Sequence, residues 1–190
     1  MQEQKIVYFD AGERPSQTTP VTLELAKARM EALGIKQAVV ASGGTTALAA
    51  AKLWRPLGVK IIGVTLQAGT WAKYGEPDWD KIAEAKELGV QFITATHPLM
   101  GNVGTAVKNK FGGICHAELI AYTLYLFSQG MKVAVEVALA AADAGLLDMK
   151  QEVVAVAGTD RGANTAIVAK PAFTTNCFDF EVKEILCMPR

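Results

Sequence analysis

Cysteine is scarce in this sequence, and Cys115, Cys177 and Cys187 are too few and too scattered for a disulfide framework. No CxxC pair or His/Cys cluster reads as a metal site, so a reducing, cytoplasmic setting is expected. Charge of one sign is missing too. The 19 Lys and Arg balance 19 Asp and Glu, leaving no net field to attract nucleic acid or a membrane surface. An anion must then be held by local geometry, which favours a small ligand as partner. Long apolar runs are absent: Met1 to Lys5 lack the apolar core of a signal peptide, and Lys132, Glu136 and Asp143 interrupt the small-residue run Met131–Leu147. With 51% hydrophobic residues and only 7 prolines, the chain is no disordered tract. It reads as one domain over residues 1–190, without repeat or interdomain linker.

What is present is an alternation of short apolar runs with longer amphipathic stretches, the pattern of an α/β fold with a parallel sheet covered on both faces. Strands are expected at Lys5–Phe9, Gln37–Ala41, Lys60–Val64, Val90–Thr94, Glu152–Ala157, Thr165–Ala169 and Val182–Cys187. Thr19 as N-cap and Pro20 at the first helical position predict a helix to Leu33, stopped by Gly34. An alanine-rich helix reaches Trp54, and another runs from Asp80 to Leu88, closed by Gly89. Gln67 to Asp78 reads as a long functional loop. Two or three helices fill Gly101 to Leu147, and their apolar character between Ala117 and Leu147 leaves room for a homo-oligomer interface. The short Gly158–Asn164 connection makes its two flanking strands antiparallel.

The sharpest chemical signal is Ser42-Gly43-Gly44-Thr45-Thr46, set between a buried strand and a helix start. Glycines let backbone approach a ligand, the helix start offers unpaired N–H groups, and three hydroxyls add donors. It lacks the lysine of a Walker loop and the GxGxxG spacing, so neither ATP hydrolysis nor dinucleotide binding follows. An ordinary glycine turn in which Ser42 or Thr45 caps the helix is an equal reading. The second signal is the turn Gly158, Thr159, Asp160, Arg161, Gly162, Ala163, Asn164, Thr165, where Arg161 offers a planar fork for phosphate or carboxylate. Taken alone, such a turn is more commonly a solvated hairpin tip with Asp160 and Arg161 as surface charges.

If the strands are parallel, these segments share one rim with Thr65, Gln67 and His97, where open α/β sheets collect ligands. His97 before Pro98 is a candidate acid, base or donor. Glu136 lies in an otherwise apolar helix, so it either faces the ligand or pairs with Lys132 on a wet face. Cys115 is a candidate nucleophile, and His116 reads as a helix cap. Trp71 and Tyr74 would cover a planar ring, whereas Trp54 and Trp79 read as helix-packing residues.

Gln37-Ala38-Val39-Val40-Ala41-Ser42-Gly43-Gly44-Thr45-Thr46-Ala47, then Trp54-Arg55-Pro56, then Ile61-Ile62-Gly63-Val64-Thr65, resembles the C-terminal α/β domain of pyruvate kinase. Val153 to Gly158 with Gly162-Ala163-Asn164-Thr165 is similar to that domain's last hairpin. A closer, nearly end-to-end resemblance is to the stand-alone pyruvate kinase α/β-domain-like proteins of archaea and bacteria. It is carried by Lys5–Phe9, Val39–Ser42, Val135-Glu136, Ala141-Ala142-Asp143, Val153–Val156, Arg161-Gly162-Ala163 and Glu184–Arg190. The resemblance implies a three-layer α/β/α sandwich with a mostly parallel sheet and an antiparallel final hairpin strand.

It further implies a phosphorylated ligand, with flavin mononucleotide (FMN) as the expected cofactor. The catalytic barrel of pyruvate kinase is absent, so kinase activity is not expected. The expectation is a cytoplasmic FMN-binding or sensor protein, held by Ser42–Thr46 with Thr65, Gln67, His97, Glu136, Gly158, Thr159, Arg161, Gly162, Asn164 and Thr165, and no metal. The rival expectation is a flavin-dependent oxidoreductase, or a sugar-phosphate lyase or hydrolase, using His97 and Glu136.

Overall fold

Runs of Val, Ile and Ala between glycine- and proline-marked turns form a seven-stranded mixed sheet in the computed structural model, which describes residues 3–190. In chain order the elements are β1 (Val7–Phe9), α1 (Pro15–Leu33), β2 (Gln37–Ala41), α2 (Thr45–Trp54), β3 (Lys60–Val64), α3 (Trp71–Tyr74), α4 (Trp79–Glu87) and β4 (Gln91–Ile93). There follow α5 (Val103–Phe111), α6 (His116–Tyr125), α7 (Gln129–Asp143), β5 (Val153–Ala157), β6 (Thr165–Lys170) and β7 (Glu181–Pro189). The strand order is β1-β7-β6-β5-β2-β3-β4, and β6 alone runs against its neighbours.

Strand side chains alternate between two cores. Ala38, Val40, Ile61, Val154 and Val156 face α1, α2 and α4, where Trp54 is wholly buried and donates through its indole N–H to the Leu23 carbonyl (3.1 Å). Val39, Ile62, Val153 and Ala155 face α6 and α7. The result is the expected three-layer α/β/α sandwich. Among the described residues no helix is long and apolar enough to cross a membrane.

Two local expectations are overturned. The first helix begins at Pro15, so Pro20 lies inside it and Thr19 is no cap. The Gln17 side chain accepts from the Arg14 amide (3.0 Å) and fixes that earlier start, while Thr19 turns its hydroxyl to a distant partner described below. Pro20 then sits a turn and a half into the helix, where it lacks the N–H of one intrahelical bond. The stretch 67–78 is partly helical, holding a 3-10 turn over Ala68–Thr70 and the single turn of α3. Strand ends also shift: β1 starts at Val7 rather than Lys5, and β7 extends past both expected ends.

Candidate functional site

Because α1, α2, α4 and α7 each run against the parallel strands, their N-termini all reach the rim formed by the strands' carboxyl ends. The sheet order reverses between β2 and β5: α2 leaves β2 on one face and α7 enters β5 from the other. A crevice at such a reversal is the usual ligand position in open α/β sheets. Val40 pairs with Val156, so the register brings Ser42 and Gly158, two residues further on, to neighbouring positions at that reversal.

The loop after β2 is ordered from within. Ser42 is buried, and its Oγ accepts from the amides of Gly44 and Ala47, both at 3.0 Å. Gly44 adopts φ 126°, and a Cβ there would lie 2.9 Å from the Asp78 carbonyl. Only glycine fits both the conformation and the space. The Asp78 amide donates to the Gly43 carbonyl (2.7 Å), which latches the start of α4 onto the loop. Among the described residues, the amides of Thr45 and Thr46 have no partner. Thr45 is exposed, Thr46 is buried, and Lys81 Nζ donates to Thr45 Oγ1 at 3.2 Å. Lys81 also pairs with Asp78 (3.1 Å), and hydrogen bonds from Lys81 hold the Asp78 carboxyl below its ordinary range. Sequence reasoning missed Lys81 because nothing local links it to Thr45, 36 positions away.

Thr65, Gln67, His97 and Glu136 are brought together, though as a brace for the loop that follows β4. Thr65 Oγ1 is buried against Thr94 Oγ1 (2.6 Å). Gln67 accepts from the His97 amide (3.2 Å) and donates to the Gly101 carbonyl (2.6 Å). The His97 ring, 16% exposed, donates through Nε2 to the Thr65 carbonyl (3.2 Å) and places Nδ1 3.8 Å from Glu136 Oε2. Glu136 Oε1 accepts from the amides of Leu99 (2.9 Å) and Met100 (3.0 Å), while Oε2 pairs with Lys132.

Of the two readings of Glu136, the structure has the pairing with Lys132, on a buried face rather than a wet one. Its carboxylate oxygens are both engaged, so it positions the 97–100 segment and orders His97. The nearby Tyr125 hydroxyl is held above its ordinary range, first by burial and then by the Glu136 charge.

The Gly158–Thr165 turn is no free hairpin tip, because it folds back on α1. Thr18 Oγ1 donates to the Ala163 carbonyl (2.8 Å), and the Ala163 amide donates to Thr19 Oγ1 (2.9 Å). Gly162 lies against Pro15 and Thr19, and Gly158 lies under the Gly162 carbonyl. Asn164 bridges to Thr159 (2.9 Å). Thr165 is wholly buried, donates to Asn164 (3.1 Å) and packs on Gly130 of α7, so it belongs to the scaffold beneath the rim. Arg161 is exposed and makes no ion pair among the described residues.

The aromatic stretch 71–79 borders the β2 loop through Pro77 and Asp78. Trp71 and Trp79 stand edge to face, 5.6 Å between centroids, and Trp71 donates to the Leu66 carbonyl (2.8 Å). Trp79 is half exposed, contrary to the packing role expected of it, because it is the first residue of its helix. His116 is not a cap either: α6 begins at His116, and Cys115 occupies the cap position without a side-chain bond. Cys115 is buried beside Gly104, on the wall of a hollow of about 340 Å³ between α5 and the start of α6. A comparison of the chain with protein-family models finds no match.

Proposed function

We propose that this protein binds a phosphorylated small molecule at the β2–β5 rim, and that FMN is the ligand. The observation that carries this reading is the start of α2, where the unpartnered amides of Thr45 and Thr46 lie beside an exposed hydroxyl and the Lys81 ammonium. A phosphate there meets two backbone dipoles, a donor and a cation without any excess of positive charge in the chain as a whole. Ser42 and Gly44 shape the cradle rather than touch the ligand.

The half-exposed indole of Trp79, beside the Asp78 latch, offers a flat surface for an isoalloxazine ring, with Trp71 bracing it. The nearly end-to-end resemblance to the stand-alone pyruvate kinase α/β-domain-like proteins supports the same choice. His97, with Nε2–H spent on the Thr65 carbonyl and Nδ1 facing Glu136, holds the loop after β4 in place at the rim beside the ligand.

Titration with FMN and with riboflavin, followed by flavin and tryptophan fluorescence, tests this. FMN is expected to bind at least about tenfold tighter than riboflavin, and Lys81→Ala is expected to abolish that preference. Absence of quenching by FMN overturns the flavin reading. Equal affinity for both flavins overturns the phosphate site.

A further inference from the structure

We infer that the α5–α6 hairpin is the surface on which a second copy of this chain docks. On α5, Val103, Val107 and Phe111 recur at intervals of four, and Leu119 and Tyr122 on α6 are followed four residues on by Leu126, the C-cap just past the helix end, so each set forms one stripe. All six side chains are between 51% and 83% exposed, and α5 buries none of its residues. An amphipathic stripe of this kind normally faces a core, and here it faces outward.

The helices are nonetheless well fixed. Asn102 caps α5 by accepting from the amides of Gly104 (2.9 Å) and Thr105 (3.3 Å). Glu118 ties the pair together by accepting from Thr105 (2.6 Å) and Lys108, and those bonds hold its carboxyl below the ordinary range.

Area points to a partner the size of another folded chain. At ~100 Å² for each largely exposed side chain, the six offer ~600 Å², and neighbouring residues bring this toward the ~800 Å² per partner of a standard interface. Patches of that size seldom stay uncovered on monomers. The hollow of about 340 Å³ between the helices, with Val107 and Ile114 on its walls, gives a protruding side chain of the second copy a place to seat.

Charge selects the second copy over a membrane. The chain's balanced 19 and 19 charges set up no net repulsion between copies, whereas an anionic bilayer needs a basic flank. On the hairpin the lysines are Lys108 and Lys110, and Lys108 is spent on Glu118. A self-complementary apolar face also suits the two-fold symmetry of most dimers.

Sedimentation of the full chain at about 10 μM tests the inference, with twice the single-chain mass expected. Phe111→Asp, and independently Leu119→Asp, should keep native circular dichroism and weaken the dimer about 100-fold or more. Phe178→Asp, an exposed apolar residue outside the hairpin, should leave the dimer intact. A monomeric native chain at about 100 μM overturns the proposal, as does a dimer indifferent to both hairpin substitutions. A monomer that floats with anionic vesicles overturns it in favour of the membrane.

Discussion

Lys132 and Glu136 form an ion pair one helical turn apart inside the protein, at 4% and 2% exposure, and the same carboxylate holds the amides of Leu99 and Met100. Removing one partner leaves the other charge stranded in a poorly solvated interior. Lys132→Met is therefore expected to cost about 3–5 kcal/mol in urea denaturation. Lys132→Met combined with Glu136→Gln should cost less than that single change, because the stranded charge is gone while the amide oxygen still accepts. A single-variant loss below about 1 kcal/mol would contradict the pair's burial.

Gly44→Ala tests the cradle. The φ of 126° and the 2.9 Å approach to the Asp78 carbonyl strain any Cβ, so a loss of about 1–3 kcal/mol is expected together with weakened FMN binding. Gly34→Ala is the comparison, since Gly34 has a left-handed φ of 68° at the end of α1 with open space around it. It should destabilise less and leave flavin affinity unchanged, and paired melting and titration curves separate the two.

Acid sensitivity should have a component at the sheet's β6–β7 pair. Lys170 and Lys183 hold the Glu181 carboxyl down at about 2, against an ordinary 4.5. A carboxyl depressed in the folded state contributes its stability in full above its unfolded value and loses it as pH falls from 4.5 toward 2. The group is solvent-exposed, so the contribution is small and fades with salt. Glu181→Gln is expected to flatten that part of the melting-temperature profile, and an unchanged acid limb would refute the assignment.

Thiol chemistry should divide the three cysteines. Cys187 is wholly buried on β7, and burial pushes its thiol up to about 11, so at pH 8 it is both shielded and protonated. Cys115 is buried as well, and Cys177 is the partly exposed one. One thiol is expected to react rapidly with a chromogenic disulfide in the native protein and three after denaturation. Peptide mapping that finds the fast label on Cys187 would refute this.

Much of the fold was readable from short-range pattern. Val39-Val40 and Val153-Val154 carry the signal of strands buried on both faces, and the seven-residue Gly158–Asn164 connection already required an antiparallel partner for β5. The start of α1 was misread because Thr18-Thr19-Pro20 is a sound local cap signal whose hydroxyls are spent on Ala163 across the molecule. Of the candidate rim residues, Thr65, Gln67, Glu136 and Thr165 spend their polar groups on the backbone and on other side chains, Thr65 on Thr94, Glu136 on Lys132 and Thr165 on Asn164. A polar residue at a strand end looks the same in sequence whether it awaits a ligand or braces a loop.

The sequence by itself determined the α/β class, the placement of most strands and the glycine loop at the start of α2, because strand propensity, composition and turn preference act over a few residues. Tertiary structure alone decided that Lys81 stands over Thr45, that Lys132 and Glu136 are buried together, and that the apolar stripes of α5 and α6 face outward. Those outcomes depend on contacts between segments tens of residues apart, and on which face of each helix the rest of the chain happens to cover.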